Sequence, residues 1–197
     1  MKALRSLLFS MLLIASSSVC FAQISITAAY KPSIFNVEEE INTENGVSLN
    51  VLYNAAISDH IPLSIQSGLG FHYIFDEINR NDLSFSNIFI PVNIAYKFDV
   101  KPTFSIYPYA GIYGRYVVQY ETTRRMQQQA PVTTDLLKHN PDKFNRALVG
   151  SQLGLMLDIH KHFQIDISYG FDFYKFYKGI NYISALQSLS IGIGYTF

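Results

Sequence analysis

The residue pattern that most constrains the fold is a strict alternation of apolar and small side chains over the last nine residues, 189–197. Successive side chains of a β-strand point to opposite faces, so one face of this segment is wholly apolar and the other is small or polar. The apolar face carries Leu189, Ile191, Ile193, Tyr195 and Phe197. A soluble protein would turn such a face to its core. A strand that closes a membrane barrel would turn it to lipid and anchor its last aromatic residue at the bilayer interface.

The same alternation recurs in seven further segments, which predicts eight strands in all. The segments cover residues 24–30, 47–57, 63–75, 88–98, 104–120, 147–159 and 163–173. Leu83 and Phe85 have the opposite parity to Ile88, which predicts a β-bulge near Asn87 that restores the register. Pro91 is also irregular, because proline cannot donate a hydrogen bond to a ladder. No run after residue 22 approaches the ~20 apolar residues of a membrane helix, so a membrane location would require strands.

The lengths of the connections indicate how the strands are arranged. The connections at residues 31–46, 76–82, 121–145 and 177–185 are longer, and those between them are tight turns such as residues 160–162. Long and short connections at opposite ends, with an even number of strands, are typical of outer-membrane barrels. Aromatic residues also gather at both ends of the strands, as in two interfacial girdles. The sequence therefore predicts an all-β, eight-stranded antiparallel up-and-down transmembrane β-barrel, with a lipocalin-like or sandwich protein as the alternative.

The N-terminal segment has the features of a secretory signal peptide. Residues 1–22 combine a positive start, a short apolar core at residues 7–15 and small residues before Ala22. Cys20 is the one cysteine of the chain and would leave with the signal, so thiol chemistry is excluded from residues 23–197. Lysine plus arginine equals aspartate plus glutamate, at 15 each, which gives no basic footprint for nucleic acid. We predict one barrel domain over residues 23–197, with both termini in the periplasm.

The interior of an eight-stranded barrel is just wide enough for side chains to fill. The large side chains that the alternation turns inward are Tyr107, Tyr109, Tyr113, Arg115, Gln152, Met156, Asp166, Asp172 and Tyr174. Charges removed from bulk water need partners, and the first candidate ion pair is Arg115 with Asp172. The second joins Lys97 to Asp158 or Asp166. We therefore expect a structural polar network and no continuous aqueous pore, with a polar conduit or ligand site as the alternative.

The longest connection, residues 121–145, is the first candidate for a functional surface, because exceptional loop length often marks function. Its cations Arg124, Arg125 and Lys138 are candidate contacts for a partner protein, lipid headgroups or surface polysaccharide. Runs of charge usually form solvated surfaces, so the alternative is that these cations contact only water.

A small lipid-modifying enzyme is an alternative of another class. Such a barrel would need a serine, a histidine and an acid near the bilayer face. The candidate histidine is His72, and the candidate serines are Ser64 and Ser84. No nucleophile–base spacing stands out. His160 and His162 resemble a metal pair only loosely, since no third ligand is evident. We therefore predict no enzyme, no metal and no cofactor.

Several segments resemble the outer-membrane β-barrel proteins of Bacteroidota that are often called PorT-like. They are FIPVNIAYKF at residues 89–98, YPYAGIYGRY at residues 107–116 and the terminal IGIGYTF. The terminal strand also resembles the signal that the barrel-assembly machinery reads, with Tyr195 and Phe197 in the recognised places. The resemblance implies a barrel in the cell outer membrane that contacts outer-membrane lipid and, during biogenesis, the assembly machinery. Some members of that family are linked to protein secretion or its assembly.

The function that we predict is a non-enzymatic, membrane-anchored scaffold whose surface loops bind a partner or the environment. The first alternative is an accessory component of protein secretion or envelope assembly that works through its periplasmic turns. The second alternative is the lipid-modifying enzyme.

Overall fold

In the computed structural model, the chain forms a closed β-barrel. The structure describes residues 22–37, 40–58, 60–78, 81–124, 131–176, 178 and 185–197. The strands are β1 (Ala22–Tyr30), β2 (Ser33–Val37), β3 (Glu40–Ser58), β4 (Ile61–Ile78), β5 (Asn81–Tyr96), β6 (Phe98–Lys101), β7 (Phe104–Arg124), β8 (Val132–Asp135), β9 (Ala147–Ile159), β10 (Phe163–Asp172) and β11 (Gln187–Thr196). None of the helical turns in these ranges has the length or apolar character of a bilayer-spanning helix. The predicted signal peptide lies outside the described residues, apart from Ala22.

Eight strands build the barrel wall. The segments β1 and β2 act as one strand with a break at residues 31–32, β5 and β6 act as another with a break at Lys97, and β8 pairs only with β7. All neighbours are antiparallel, and the barrel closes because β1 pairs with both β3 and β11. A closed ladder leaves no strand edge unpaired in lipid. The predicted all-β, eight-stranded antiparallel transmembrane barrel is therefore confirmed.

The two ends of the barrel differ. At one end lie the tight turns and both described termini, where the amide of Phe197 donates to the carbonyl oxygen of Ile24 at 2.9 Å. We call this the turn end, and the opposite end, which holds the longer connections, the loop end. The turn at residues 160–162 has positive φ at both His160 (55°) and Lys161 (64°). Two successive positive φ values are typical of the I′ turn, whose twist suits a two-residue hairpin.

The faces of the wall are reversed relative to those of a soluble barrel. Ile191 and Ile193 of β11 are exposed, whereas Ser188, Ser190 and Thr196 of the same strand are buried. Exposed aromatic side chains ring both ends, with Tyr96, Phe98, Phe163, Tyr195 and Phe197 at the turn end and Tyr30, Tyr73, Phe75, Tyr116, Phe171 and Phe173 at the loop end. The apolar face of the terminal segment thus faces outward, where the membrane lies.

The longer connections are less loop-like than the sequence predicted. Within residues 31–46, the strand β2 covers residues 33–37 and β3 begins at Glu40. Within residues 76–82, β4 extends to Ile78 and β5 begins at Asn81. In the third connection, β7 continues to Arg124 and pairs with β8. The prediction of loops at these places was wrong. A hairpin that extends beyond the bilayer has water on both faces, so its polar residues cannot be told from those of a loop. Of the last connection, residues 177–185, the structure describes only positions 178 and 185.

The predicted register change is present, but its consequence differs from the prediction. Between β5 and β7, Ser86 pairs with Gln119 and Asn87 pairs with Val117, so the extra residue belongs to β7. The shift does not turn Phe85 outward, because Phe85 is buried. Tyr120, which a strict alternation from Tyr116 would turn outward, packs inside against Phe85. Both residues belong to an apolar cluster at the loop end.

Pro91 is accommodated within the wall by a side chain. The ladder between β4 and β5 is interrupted beside it, between the pairs Ser67–Val92 and Gly70–Phe89. The hydroxyl of Ser67 donates to the carbonyl oxygen of Pro91 at 2.9 Å. Since lipid offers no water to an unpaired backbone group, this serine replaces part of the missing ladder.

Candidate functional site

The barrel interior is filled by acid–phenol pairs that join β7 to β10 across β9. The hydroxyl of Tyr109 donates to Asp166 at 2.9 Å, and that of Tyr113 donates to Asp172 at 2.8 Å. The guanidinium of Arg115 contacts the second carboxylate of the set, Asp172, and both side chains are buried. Inward side chains converge because an eight-stranded barrel is narrow. The structure therefore brings Arg115 and Asp172 together.

Lys31 is an interior cation that sequence reasoning missed. It was assigned to the first connection, yet its Nζ lies 4.3 Å from the ring centroid of Phe89, as in a cation–π contact. Its amide donates to the carbonyl oxygen of Gly46 at 2.8 Å. The alternation in the sequence could have revealed this position. Ser25, Thr27 and Ala29 have inward parity, and position 31 has the same parity.

Lys97 is not part of the interior network. Its Nζ pairs with Asp99 at 3.0 Å, and both side chains are partly or largely exposed at the turn end. The predicted pairing of Lys97 with Asp158 or Asp166 was wrong, because Lys97 occupies the break between β5 and β6. Asp158 is buried near the turn end.

Tyr174 is also misplaced by the alternation. Its side chain is 64% exposed, because β10 ends at Asp172 and the chain bends before residue 174. The expectation that Tyr174 fills the interior was wrong.

Amide side chains occupy the middle of the barrel. Asn93 donates to Gln66 at 2.9 Å, and Gln152 donates to Asn93 at 2.9 Å. The cavity that remains among them has a volume of about 30 Å³. That is space for about one water molecule. This part of the interior is therefore a packed polar core.

The histidine of the enzyme alternative is enclosed in the interior. His72 is buried, with Nε2 at 3.0 Å from the carbonyl oxygen of Lys31 and Nδ1 at 3.5 Å from the amide nitrogen of Asn87. Ser64 lies eight residues away on β4, or roughly 26 Å at about 3.3 Å per residue. Ser84 pairs with Phe75 rather than with His72. The structure brings His72 together with neither serine, and His72 does not face the bilayer.

The turn end holds the remaining predicted residues. The ring of His162 stacks on Tyr195 at 5.5 Å, and Tyr195 in turn contacts Phe163 and Phe197. Tyr195 and Phe197, the predicted assembly signal, are exposed on the outward face. In the described ranges, no three histidine, cysteine, aspartate or glutamate side chains converge on a point where a metal ion could bind.

The loop end is closed by an apolar cluster. Its buried members are Ile74, Phe85, Val117, Leu137, Phe144 and Leu148, and Tyr120, Leu136, Phe176 and Leu186 pack against them. The aromatic rings at its centre lie 5.1–5.8 Å apart, mostly edge to face. We call residues 131–146 with residues 173–176 and 178 the lid, because they cover this end of the barrel.

The lid is held in place by a short capped helix, α1 (Leu136–His139). Asp135 accepts hydrogen bonds from the amides of Leu137 and Lys138 at 3.0 and 3.2 Å, as an N-cap does. Its second oxygen pairs with Nζ of Lys138 at 3.0 Å. The hydrogen bond from the Lys138 side chain, followed by the backbone bonds, holds the pKa of Asp135 below its ordinary value. These contacts fix Leu137 under the helix, where it is buried.

Backbone hydrogen bonds join the two segments of the lid. The amide of Asn145 donates to Phe176 at 2.7 Å, and that of Lys178 donates to Lys143 at 2.8 Å. The Asn145 side chain adds a bond to the carbonyl oxygen of Lys175 at 2.8 Å. The described part of the longest connection is therefore a folded cap and not a free loop.

The predicted surface contacts lie in or beside this cap. Arg124 is exposed at the end of β7, and Lys138 is exposed on α1. Arg125 lies outside the described residues.

Comparison with known proteins agrees with this geometry. Residues 24–177 match the family model of the outer membrane protein beta-barrel domain. The fold is similar to that of Ail, the attachment invasion locus protein of Yersinia pestis, with a TM-score of 0.53, 15% identity, and coverage of 90% of this chain and 99% of Ail. One structure of Ail holds the heparin analogue sucrose octasulfate.

Two further structures share the fold. Neisserial surface protein A has a TM-score of 0.51 and 12% identity, and the match covers 89% of this chain and 97% of that protein. The outer membrane enzyme PagL has a TM-score of 0.50 and 10% identity, with 86% and 98% covered. At these identities the likeness concerns the fold alone. No curated protein matches the chain in sequence.

Proposed function

Because the chain belongs to the outer membrane protein beta-barrel domain family and lies in an outer membrane, we propose that it is a non-enzymatic scaffold that presents its loop end to a binding partner. The lid is the observation that carries the proposal. A connection that only bridged two strands would not need Leu137 and Phe144 buried in a common core. A loop of this length with its own packed structure is typical of a functional surface.

The interior supports the same proposal. Pairs such as Tyr109–Asp166 and Asn93–Gln66 bond across its centre, and the cavity between them is about 30 Å³. A packed polar core gives the barrel the role of an anchor. The chemistry available to a partner therefore lies on the exposed ends, with Arg124 and Lys138 at the loop end.

In this proposal the loop end faces the outside of the cell and both termini lie in the periplasm, after removal of residues 1–22. Short turns on the periplasmic side and longer loops outside are the rule for bacterial barrels. Tyr195 and Phe197 present the signal for the assembly machinery. Removal of Phe197 should then slow insertion more than it destabilises the finished barrel, which pulse-labelled assembly and unfolding measurements would compare.

A photo-cross-linking experiment in intact cells tests which end is used. A photoreactive amino acid replaces Val132 or Lys138 at the loop end, and Lys101 or Lys161 at the turn end. All four positions are exposed. We expect specific cross-links from the loop-end positions. Cross-links from the turn end alone would contradict the proposal.

An accessory role in protein secretion or envelope assembly is the second candidate. It is favoured by the PorT-like resemblance and by the exposed cations Lys101 and Lys161, which the turn end offers to a periplasmic partner. The turn-end positions of the cross-linking experiment are its test.

A further inference from the structure

We infer that one edge of the lid is a docking surface for an anionic polysaccharide that carries sulfate or phosphate groups, an inference that rests on the proposed function. The edge is formed by Lys138, His139, Lys143, Arg146, Lys175 and Lys178. We call these residues the basic edge.

Backbone pairing brings the basic edge together from two distant segments. The amide of Lys178 donates to the carbonyl oxygen of Lys143 at 2.8 Å, and that of Asn145 donates to Phe176 at 2.7 Å, so residues 143 and 178 are backbone neighbours. Lys143 and Lys178 are both exposed, whereas Phe144, next to Lys143, is buried in the apolar cluster.

This arrangement places like charges side by side. Exposed cations held close together repel each other. The two segments are nevertheless held together by these hydrogen bonds and by the aromatic contact beneath them, where the Phe144 and Phe176 ring centroids lie 5.1 Å apart. A chain of anions laid along the edge would relieve the repulsion without any movement of the lid.

The charge of the loop end is divided between two sides. Residues 131–146, 173–176 and 178 contain five lysine and arginine residues and two aspartates. The hairpin segments 40–46, 76–78 and 81–84, on the opposite side, contain five acidic residues and neither lysine nor arginine. The whole chain is neutral, so this is a local separation of charge. An anionic chain would be attracted to one side and repelled by the other, which fixes how it lies.

The distribution of the cations favours a chain over a single anionic group. They follow the two segments of the lid instead of converging on one point. Lysine carries a compact charge that accepts anions from many directions, so mostly lysine positions suit sulfate or phosphate groups repeated along a flexible polymer. A lipid headgroup would offer one anion at a fixed height, and it is the competing occupant that the experiment must distinguish.

The test uses the folded chain in phosphatidylcholine nanodiscs and heparin as the sulfated polysaccharide. We expect heparin to bind, and the affinity to fall as salt rises, because salt screens exposed charges. The double variant Lys143→Glu, Lys178→Glu should bind at least ~10-fold more weakly, a change of about 1.4 kcal/mol. The matched control is Lys101→Glu, Lys161→Glu, which makes the same change of net charge at the turn end and should retain the wild-type affinity.

Folding is checked for both double variants by gel migration before and after heating and by hydrogen exchange. If either is unfolded, Lys143→Gln, Lys178→Gln and Lys101→Gln, Lys161→Gln take their places. Absence of heparin binding to the wild type overturns the inference, as does an equal loss in the edge variants and in the control.

A second arm measures binding of vesicles of about one part phosphatidylglycerol to three parts phosphatidylcholine to the protein in detergent. If the edge variants lose vesicle binding and keep heparin binding, the occupant is a lipid headgroup and the inference is wrong. Failure of heparin binding while loop-end cross-links persist in cells contradicts the inference alone. Absence of loop-end cross-links contradicts the proposed function.

Discussion

The barrel wall exposes apolar residues and buries polar ones, whereas the lid buries apolar residues and exposes polar ones. In the wall, Ile94 is 60% exposed while its neighbour Asn93 is 1% exposed. In the lid, Leu137 is 2% exposed while the side chain of its neighbour Lys138 is 81% exposed. In both regions the polarity of the exposed side chains matches the polarity of the surrounding medium. The difference shows that lipid surrounds the wall and water surrounds the lid.

The boundary between the two regions lies where β5 and β7 change register. On the wall side of the shift, Ile88 and Tyr116 face outward and are exposed. On the lid side, Phe85 and Tyr120 face inward and join the apolar cluster. The register shift therefore coincides with the change of surrounding solvent.

The largest change in the free energy of unfolding of the wall should come from replacing an interior charge. Replacing Arg115 with Leu leaves Asp172 buried without its cationic partner, which should cost about 3–5 kcal/mol. The double replacement Arg115→Leu, Asp172→Leu should recover much of that loss, because no charge is then left unpaired. Urea unfolding in lipid vesicles measures both. An equal loss in the single and double variants would show that the pair is not the cause.

The next effect concerns the outward face. Arg at position 191 places a charge on the lipid-facing side of β11, near the middle of the strand, and should destabilise the folded barrel by about 2–4 kcal/mol. Arg at position 132, an exposed residue of the lid, should change stability by less than about 0.5 kcal/mol. The same unfolding experiment compares them. A harmless Ile191→Arg would mean that this face does not meet lipid.

A smaller and more local effect is expected inside the lid. Leu137→Ala removes a buried side chain from the apolar cluster and should destabilise the lid by about 2–3 kcal/mol. Hydrogen exchange of residues 131–146 should become faster, while unfolding of the barrel in lipid stays the same. His139→Ala, at an exposed position of α1, is the control. A parallel loss of barrel stability would show that wall and lid fold as one unit.

A single hydrogen bond within the wall comes next. Ser67→Ala leaves the carbonyl oxygen of Pro91 without its side-chain donor and should cost about 1 kcal/mol. The control is Ser151→Ala, at a serine on the outward parity of β9. If both replacements lower the stability in lipid equally, the loss in Ser67→Ala does not come from the hydrogen bond to Pro91.

The smallest effect should be a pH dependence of the lid. The pKa of Asp135 is lower in the folded lid than in the unfolded chain, so its stabilisation is complete above the unfolded pKa of about 4 and is lost as pH falls through the folded value. Amide exchange in α1, corrected for intrinsic rates, should therefore accelerate in acid. Asp135→Asn should remove this dependence, and Asp142→Asn should keep it.

The wall was predictable from the sequence because lipid outside and a narrow interior impose one alternating rule on every strand. That rule gave the strands, their outward faces and the position of the register shift. It fails where water reaches both sides, because the strand ends at residues 33–37, 40–46, 76–78 and 81–82 have the polar composition of loops. The parity of Phe85 was interpreted as an irregularity of the wall, although it belongs to the core of the lid.

Individual side chains near strand breaks were the other source of error. Lys31 continues an inward parity across a break and was overlooked, whereas Lys97 lies at a break and was wrongly placed inside. Tyr174 follows the end of β10, where alternation no longer applies. The lid itself depends on contacts between residues far apart in the chain, such as Phe144 with Phe176, and no local pattern encodes such a contact.

The interior bonds also bear on the order of events during insertion. Asn50 bonds to Thr27 and Asn93 bonds to Gln66 among strands β1 to β5, whereas the Tyr109, Tyr113 and Arg115 contacts lie among strands β7 to β10. The bond from Gln152 to Asn93 joins the two groups, whereas the other bonds named here can form within each half early. Joining β1 to β11 then requires chiefly backbone hydrogen bonds. We expect the final closure to be a fast step that follows a slower assembly of two curved sheets.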